Sequence, residues 1–144
     1  MNDVSIQLFL RNILIELLAS IAPDGKYLNA PILVVYDNYN TPSKTDGIII
    51  EEFFSNVFEN SYGDIEKGTG KYDLVVSDNR STGLRYRKFC NEIKNAYKYG
   101  VYNIDENTSI NITDIEIEDC NMSKNDDKVS SAVVITFNKF YKYS

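Results

Sequence analysis

The stretch YDLVVSDNRSTGLRYRKFCNEI, Tyr72 to Ile93, passes from an apolar run through a polar turn into a segment with helical spacing. A strand, a small-residue turn and a helix also make up many phosphate-binding loops, so its reading bears on fold and chemistry together. A P-loop requires G-x-x-x-x-G-K-[ST], in which glycines bring backbone N–H groups to the phosphates and Lys neutralises them. SDNRSTG holds one glycine, Gly83, with neither Lys nor Ser/Thr after it. The dinucleotide fingerprint G-x-G-x-x-G is absent too. A helix start accounts for the residues: Asp78 and Asn79 form the turn, and Ser81 or Thr82 caps the helix by accepting an orphan N–H. The helix is expected from about Ser81 to Tyr99, with Leu84, Phe89, Ile93, Ala96 and Tyr97 inward and Gly100 as terminator. Arg85, Arg87 and Lys88, with Arg80 nearby, read as its solvated face.

Upstream, apolar residues at Ile6, Phe9, Leu10, Ile13, Leu14, Leu17, Leu18 and Ile21 predict a helix over Asp3 to Ile21, with Gln7, Arg11 and Glu16 on its other side. APDG (22–25) stops it. Ile32 to Tyr36 is expected to be a strand and 40–47 a polar loop. IIIEEFFSNVFEN (48–60) has apolar residues on both parities, so a strand there is covered on both faces or bends; a helix from Glu51 is the competing reading. SYGDIEKGTG (61–70), with three glycines, reads as a mobile loop, and 71–78 as a strand. In INITDIEIED (110–119) the apolar parity switches at Thr113–Asp114, which predicts a β-bulge. A polar hairpin turn follows at 121–128, then a last strand with Val133, Ile135 and Phe137 on one face. The expected class is α+β: one domain over 1–144, a mostly antiparallel or mixed sheet of about five strands packed with two helices.

Composition narrows the chemistry. The 144 residues contain no His, which removes Ser-His-Asp and Cys-His catalysis and most imidazole metal sites. Cys90 and Cys120 lie far apart and read as free thiols, Cys90 as a small core residue. The net charge of −6 argues against a broad grip on nucleic-acid backbone. No segment is expected to span a membrane, because Arg11 and Glu16 interrupt the most apolar stretch, and no signal peptide is expected. Eleven Tyr, some of them partly exposed, suit a protein interface or simply half-buried strands. Glu116 and Glu118 alternate with Ile115 and Ile117, the pattern of a solvent face on a half-buried strand. The Asp126–Asp127 pair sits in a turn without Ca²⁺-loop spacing. No catalytic, cofactor or metal site is assigned.

The layout of an apolar N-terminal helix, strands, the unit YDLVVSDNRSTGLRYRKFCNEIKNAY and the closing pair DIEIEDCNMSKNDDKVSSAVVITFNKF resembles the tail terminator (tail completion) proteins of long-tailed phages and phage-tail-like particles. The resemblance covers most of the chain as a pattern of elements, without a diagnostic motif. It implies a structural protein rather than an enzyme: a homo-oligomeric ring, usually a hexamer, on the end of the tail tube. Such a ring stops tube growth and gives the head-side connector its joining surface, with DNA only as passing cargo. It implies the host cytoplasm during assembly and the particle neck thereafter. On this reading the subunit interface is expected to pair Arg80, Arg85, Arg87 and Lys88 with Glu116, Glu118, Asp126 and Asp127 of a neighbour. The alternatives are another neck or tail-tube-like subunit and a small carboxylate metal-dependent enzyme built on Glu116 and Asp119.

Overall fold

In a computed structural model the chain is described over residues 3–38, 47–79, 84–120 and 128–143, without the side chains of residues 3, 38, 58, 59 and 62. Helix α1 spans Asp3–Ile21, as its periodicity predicts. Its Ile6, Leu10 and Leu14 are fully buried. It ends where Pro23 and Gly25 follow, Gly25 taking φ 77°. Contrary to the expectation drawn from Arg11 and Glu16, Val4–Ile21 is long and apolar enough, by length and composition, to cross a membrane. In this fold that apolar character serves the core, although Val4, Leu8 and Ile15 face outward.

A two-residue strand, β1 (Lys26–Tyr27), pairs antiparallel with β2 (Ala30–Val35). Their turn holds Leu28 and Asn29 at positive φ, 46° and 67°. Strand β2 ends one residue earlier than expected, because Tyr36–Asn38 form a short 3-10 turn with Asp37 at φ 58°. Strand β3 runs Ile48–Tyr62 and β4 runs Ile65–Asn79, fifteen residues each. The loop expected at 61–70 is therefore a hairpin. Tyr62 pairs with Ile65 around Gly63–Asp64, and Gly63 takes φ 59°. Gly68 and Gly70 are inside the strand. An added Cβ at Gly70 would lie 2.4 Å from the Phe137 ring and 2.9 Å from the Ser55 carbonyl oxygen, so this glycine admits an aromatic ring against the backbone. The loop expected at 40–47 falls largely outside the described residues.

Helix α2 is Arg85–Ala96, shorter than expected at both ends. Leu84 stands at the cap position, exposed, and Tyr86 takes its place in the core beside Phe89, Cys90 and Ile93. The proposed caps Ser81 and Thr82 lie outside the described residues. Tyr97 turns the chain extended, and Gly100, at φ 134°, begins strand β5 (Gly100–Asn103) instead of ending the helix. Strands β6 (Thr108–Asp119) and β7 (Lys128–Lys142) complete the sheet. Their register shifts between Ile112 and Asp114, the bulge that the sequence parity predicts. The bulge keeps Ile110 and Ile112 on the same face as Ile115 and Ile117.

The sheet order is β1-β2-β3-β4-β7-β6-β5, with seven strands among the described residues rather than about five; β1 and β5 are the additions. Among the described strands only β2 and β3 pair in parallel, so the fold is α+β with a mostly antiparallel sheet. Both helices share one core with the same sheet face: Ile48, Ile50, Tyr72, Leu74, Val76, Val133, Ile135 and Phe137. The Tyr97 hydroxyl donates to the Leu10 carbonyl at 2.7 Å and ties the two helices together. Gly70→Ala is expected to destabilise the protein by about 1–3 kcal/mol through overpacking against Phe137; the shift of the urea unfolding midpoint measures it.

Candidate functional site

Alternate strand residues point to opposite faces of a sheet. With both helices on one face, the other carries the remaining residues of β3, β4, β7 and β6. Register places them in rows: Glu51–Val75–Ala132–Glu118, Phe53–Asp73–Val134–Glu116 and Ser55–Lys71–Thr136–Asp114. These three rows contain five carboxylates and one cation, Lys71; beyond them the same face carries Lys67 and Lys142 toward the Gly63–Asp64 turn and Lys128 at the start of β7. Glu116 and Glu118 are exposed, as their alternation with Ile115 and Ile117 predicts. Asp73 is partly sunk: its Oδ1 is shielded from solvent and has no hydrogen-bond partner among the described residues. Burial pushes its carboxyl above the usual range; nearby Lys71 opposes this and Glu118 adds to it.

A second polar feature lies at the β3 margin of the sheet. Glu52 is fully buried on the helix side. Its Oε1 accepts from Gln7 Nε2 at 2.8 Å, Arg11 Nη2 at 2.6 Å and the Asp37 backbone N–H at 3.2 Å. Its Oε2 accepts from Arg11 Nε at 2.9 Å and the Tyr72 hydroxyl at 2.5 Å. Burial alone would raise the Glu52 carboxyl, but the hydrogen bonds from Arg11, Tyr72, Gln7 and Asp37 outweigh it and hold the group below its ordinary value. The bond to Glu52 likewise holds Arg11 charged. Beside this cluster, Gln7, Asp37, Glu52, Phe53, Phe54, Ser55 and Asp73 line an open cavity of about 450 Å³. The sequence contains a signal for Glu52: it shares the parity of Ile48, Ile50 and Phe54, so a strand at 48–60 turns it into the core. Gln7 and Arg11, four apart on an apolar helix, are the donors such a carboxylate requires.

The residues expected at a subunit interface are distributed unevenly. Arg85 is committed within its own chain: its Nε and Nη2 donate to the fully buried Asp78 at 2.6 and 2.8 Å. Asp78 is thus a buried ion-pair partner rather than a simple turn former, and reversing Arg85 would test folding before assembly. Arg87 and Lys88 are exposed on α2. Arg87 Nε donates to the Tyr86 hydroxyl at 3.1 Å. Glu116 and Glu118 lie on the opposite side of the sheet from α2. Asp119 has the other parity from Glu116 and accepts from the Ser131 hydroxyl at 2.9 Å, so Glu116 and Asp119 do not converge on one point. No group of three or more Cys, Asp or Glu side chains that could hold a metal ion occurs among the described residues. Cys90 is buried in the core, Cys120 is half-buried and both are free thiols. Arg80, Asp126 and Asp127 lie outside the described residues.

No protein-family model and no curated protein matches the sequence. Several solved structures match the fold; one of them superposes with a TM-score of 0.48 at 11% identity, over 93% of this chain and 96% of its own. A likeness at that level carries no argument about function.

Replacing Glu52 with Gln leaves Arg11 partly buried without its counter-charge and is expected to cost about 3 kcal/mol. The Glu52 carboxyl is lower in the folded state than its ordinary value of 4.5, so its contribution is full above that pH. The contribution is lost as pH falls through the folded-state value. Urea midpoints measured across the acid range therefore fall more steeply in the wild type than in Glu52→Gln.

Proposed function

We propose that this chain is a ring-forming assembly protein of a phage tail or tail-like particle. It caps the end of the tail tube, stops tube growth and presents a joining surface to the head-side connector. The observation that carries this reading is the sheet face opposite the helices, with three rows that hold five carboxylates to one lysine. A long sheet clad with helices on one side and acidic along the middle of the other, where no described element covers it, suits the wall of a passage. Its helices face outward and its carboxylates face a strand of DNA that must slide without adhering. Phosphate and carboxylate repel, and a patch with an excess of one sign held close to DNA acts over the Debye length, about 8 Å at physiological salt. The resemblance of the element pattern to tail terminators supports the same reading. Arg87 and Lys88 on the helical side add a second, chemically different surface, as a protein placed between two partners needs. On this reading the protein acts in the host cytoplasm during assembly and stays in the neck of the particle.

Light scattering across concentration, with and without purified tail tube, tests the proposal. A ring-sized species in solution or on tube ends is the expected outcome; a monomer that ignores tubes overturns it. Glu116→Lys with Glu118→Lys is expected to leave the mass of the assembly unchanged but to make it retain duplex DNA in a low-salt gel shift, which the wild type does not.

A further inference from the structure

The two margins of the sheet are stepped. On one, β2 covers β3 only from Ile48 to Glu51, and no described strand lies beside β3 from Phe53 onward. On the other, β5 covers β6 only from Ser109 to Ile112, and none lies beside β6 from Thr113 to Asp119. Register across the sheet relates the two steps. One row reads Gly100–Ile112–Phe137–Gly70–Asn56 and the next Val101–Asn111–Asn138–Thr69–Val57. Strand β5 therefore stands level with the uncovered part of β3. The row Glu51–Val75–Ala132–Glu118, with Val35 beside Glu51, places Val34 and Val35 of β2 level with Asp119 and Glu118 at the end of β6, while residues 52–55 of β3 and 114–117 of β6 share a level that neither β2 nor β5 reaches. Successive antiparallel pairings from β3 through β4, β7 and β6 to β5 make β5 run in the same direction as β3, and β2 does too. Strand β5 thus projects from one margin at the level of the recess beside β3 from residue 56, and the end of β2 projects from the other at the level of the end of β6.

We propose that copies of this chain join margin to margin, with β5 of the first copy and β2 of the second sharing the column between β6 of the first and β3 of the second. In it, β5 of the first copy pairs in parallel with β3 of the second, and β2 of the second lies beside β6 of the first. The contact uses two different surfaces of each copy, so it repeats head to tail. Beyond residue 56, β3 gains a strand neighbour on its outer side, the usual basis of strand addition at a sheet edge. The side chains agree with the register. Val101 and Val57 are 69% and 62% exposed, and they occupy the two ends of one row on the same face. Margin pairing sets them side by side. Charge agrees as well. Lys98, exposed just ahead of β5, lies toward the end of β3 where the half-exposed Asp37 carboxylate borders the 450 Å³ cavity. That cavity lies at the level of residues 52–55, the gap between the two strands in the column.

This proposal rests on the ring reading and names its interface. Thiol cross-linking tests it, using Val57→Cys and Val101→Cys chains in a Cys120→Ser background. At the highest soluble concentration the two variants, each with one exposed cysteine beside buried Cys90, are expected to link to each other about ten-fold faster than either links to itself. A chain carrying both is expected to give a ladder. Val101→Lys, at a site too exposed to disturb the fold, is expected to weaken association about ten-fold in light scattering. Self-linking as fast as cross-linking overturns the pairing. If the chain associates, alone or on tube ends, without the cross-link, the pairing is wrong and the ring reading stands. If the chain stays monomeric under both conditions, both fall.

Discussion

The Glu52 carboxylate is the constraint on which much of this architecture depends. A buried charge is tolerated only when its donors are in place together, because each unmet interaction leaves an ion in a poorly solvating interior. Here the donors come from α1, from the turn after β2 and from β4, while the carboxylate belongs to β3. Apolar packing alone would let α1 slide along the sheet, since its hydrophobic residues extend around most of its circumference. The guanidinium of Arg11 fixes its position. The same bond set fixes strand register, because a one-residue slip of β3 would turn Glu51 inward and Glu52 out. It also holds the Asp37 backbone N–H where β2 leaves the sheet, and so sets the height of the step on that margin.

Local pattern and final burial coincide in the parts of the fold that the sequence made legible. Helix α1, the bulge after Ile112, the inward face Val133–Ile135–Phe137 and buried Cys90 all follow from periodicity. The failures have particular physical causes. Gly68 and Gly70 resemble loop residues because glycine usually marks a turn, but Gly70 is needed where the Phe137 ring lies on the backbone, which only the partner strand reveals. Strand β1 was hidden because its turn places Leu28, a poor left-handed residue, at positive φ. Leu84 has an apolar side chain at helical spacing, yet the helix begins one residue later and leaves it in solvent.

The candidate site was legible in part. Alternation assigned Glu116 and Glu118 to solvent correctly, but it could not show that Glu51, Asp73 and Asp114 join them, since that depends on the order of four strands. The basic segment of α2 looked uniform in sequence. In the fold it divides, with Arg85 drawn to Asp78 and Arg87 and Lys88 left outward. A run of like charges acquires separate roles once a buried carboxylate claims one of its members.

The carboxylate rows also govern how such sheets can stack. Two sheet faces pack about 10 Å apart, so laying one copy face down on another with these rows in register would oppose five carboxylates with five more. Stacking is penalised where those rows meet, while the margins, where exposed valines and strand edges lie, carry less of that repulsion. Growth of the sheet is thereby confined to its own plane. A protein with two open edges avoids layered aggregation by making its broad face electrostatically unwelcoming to itself.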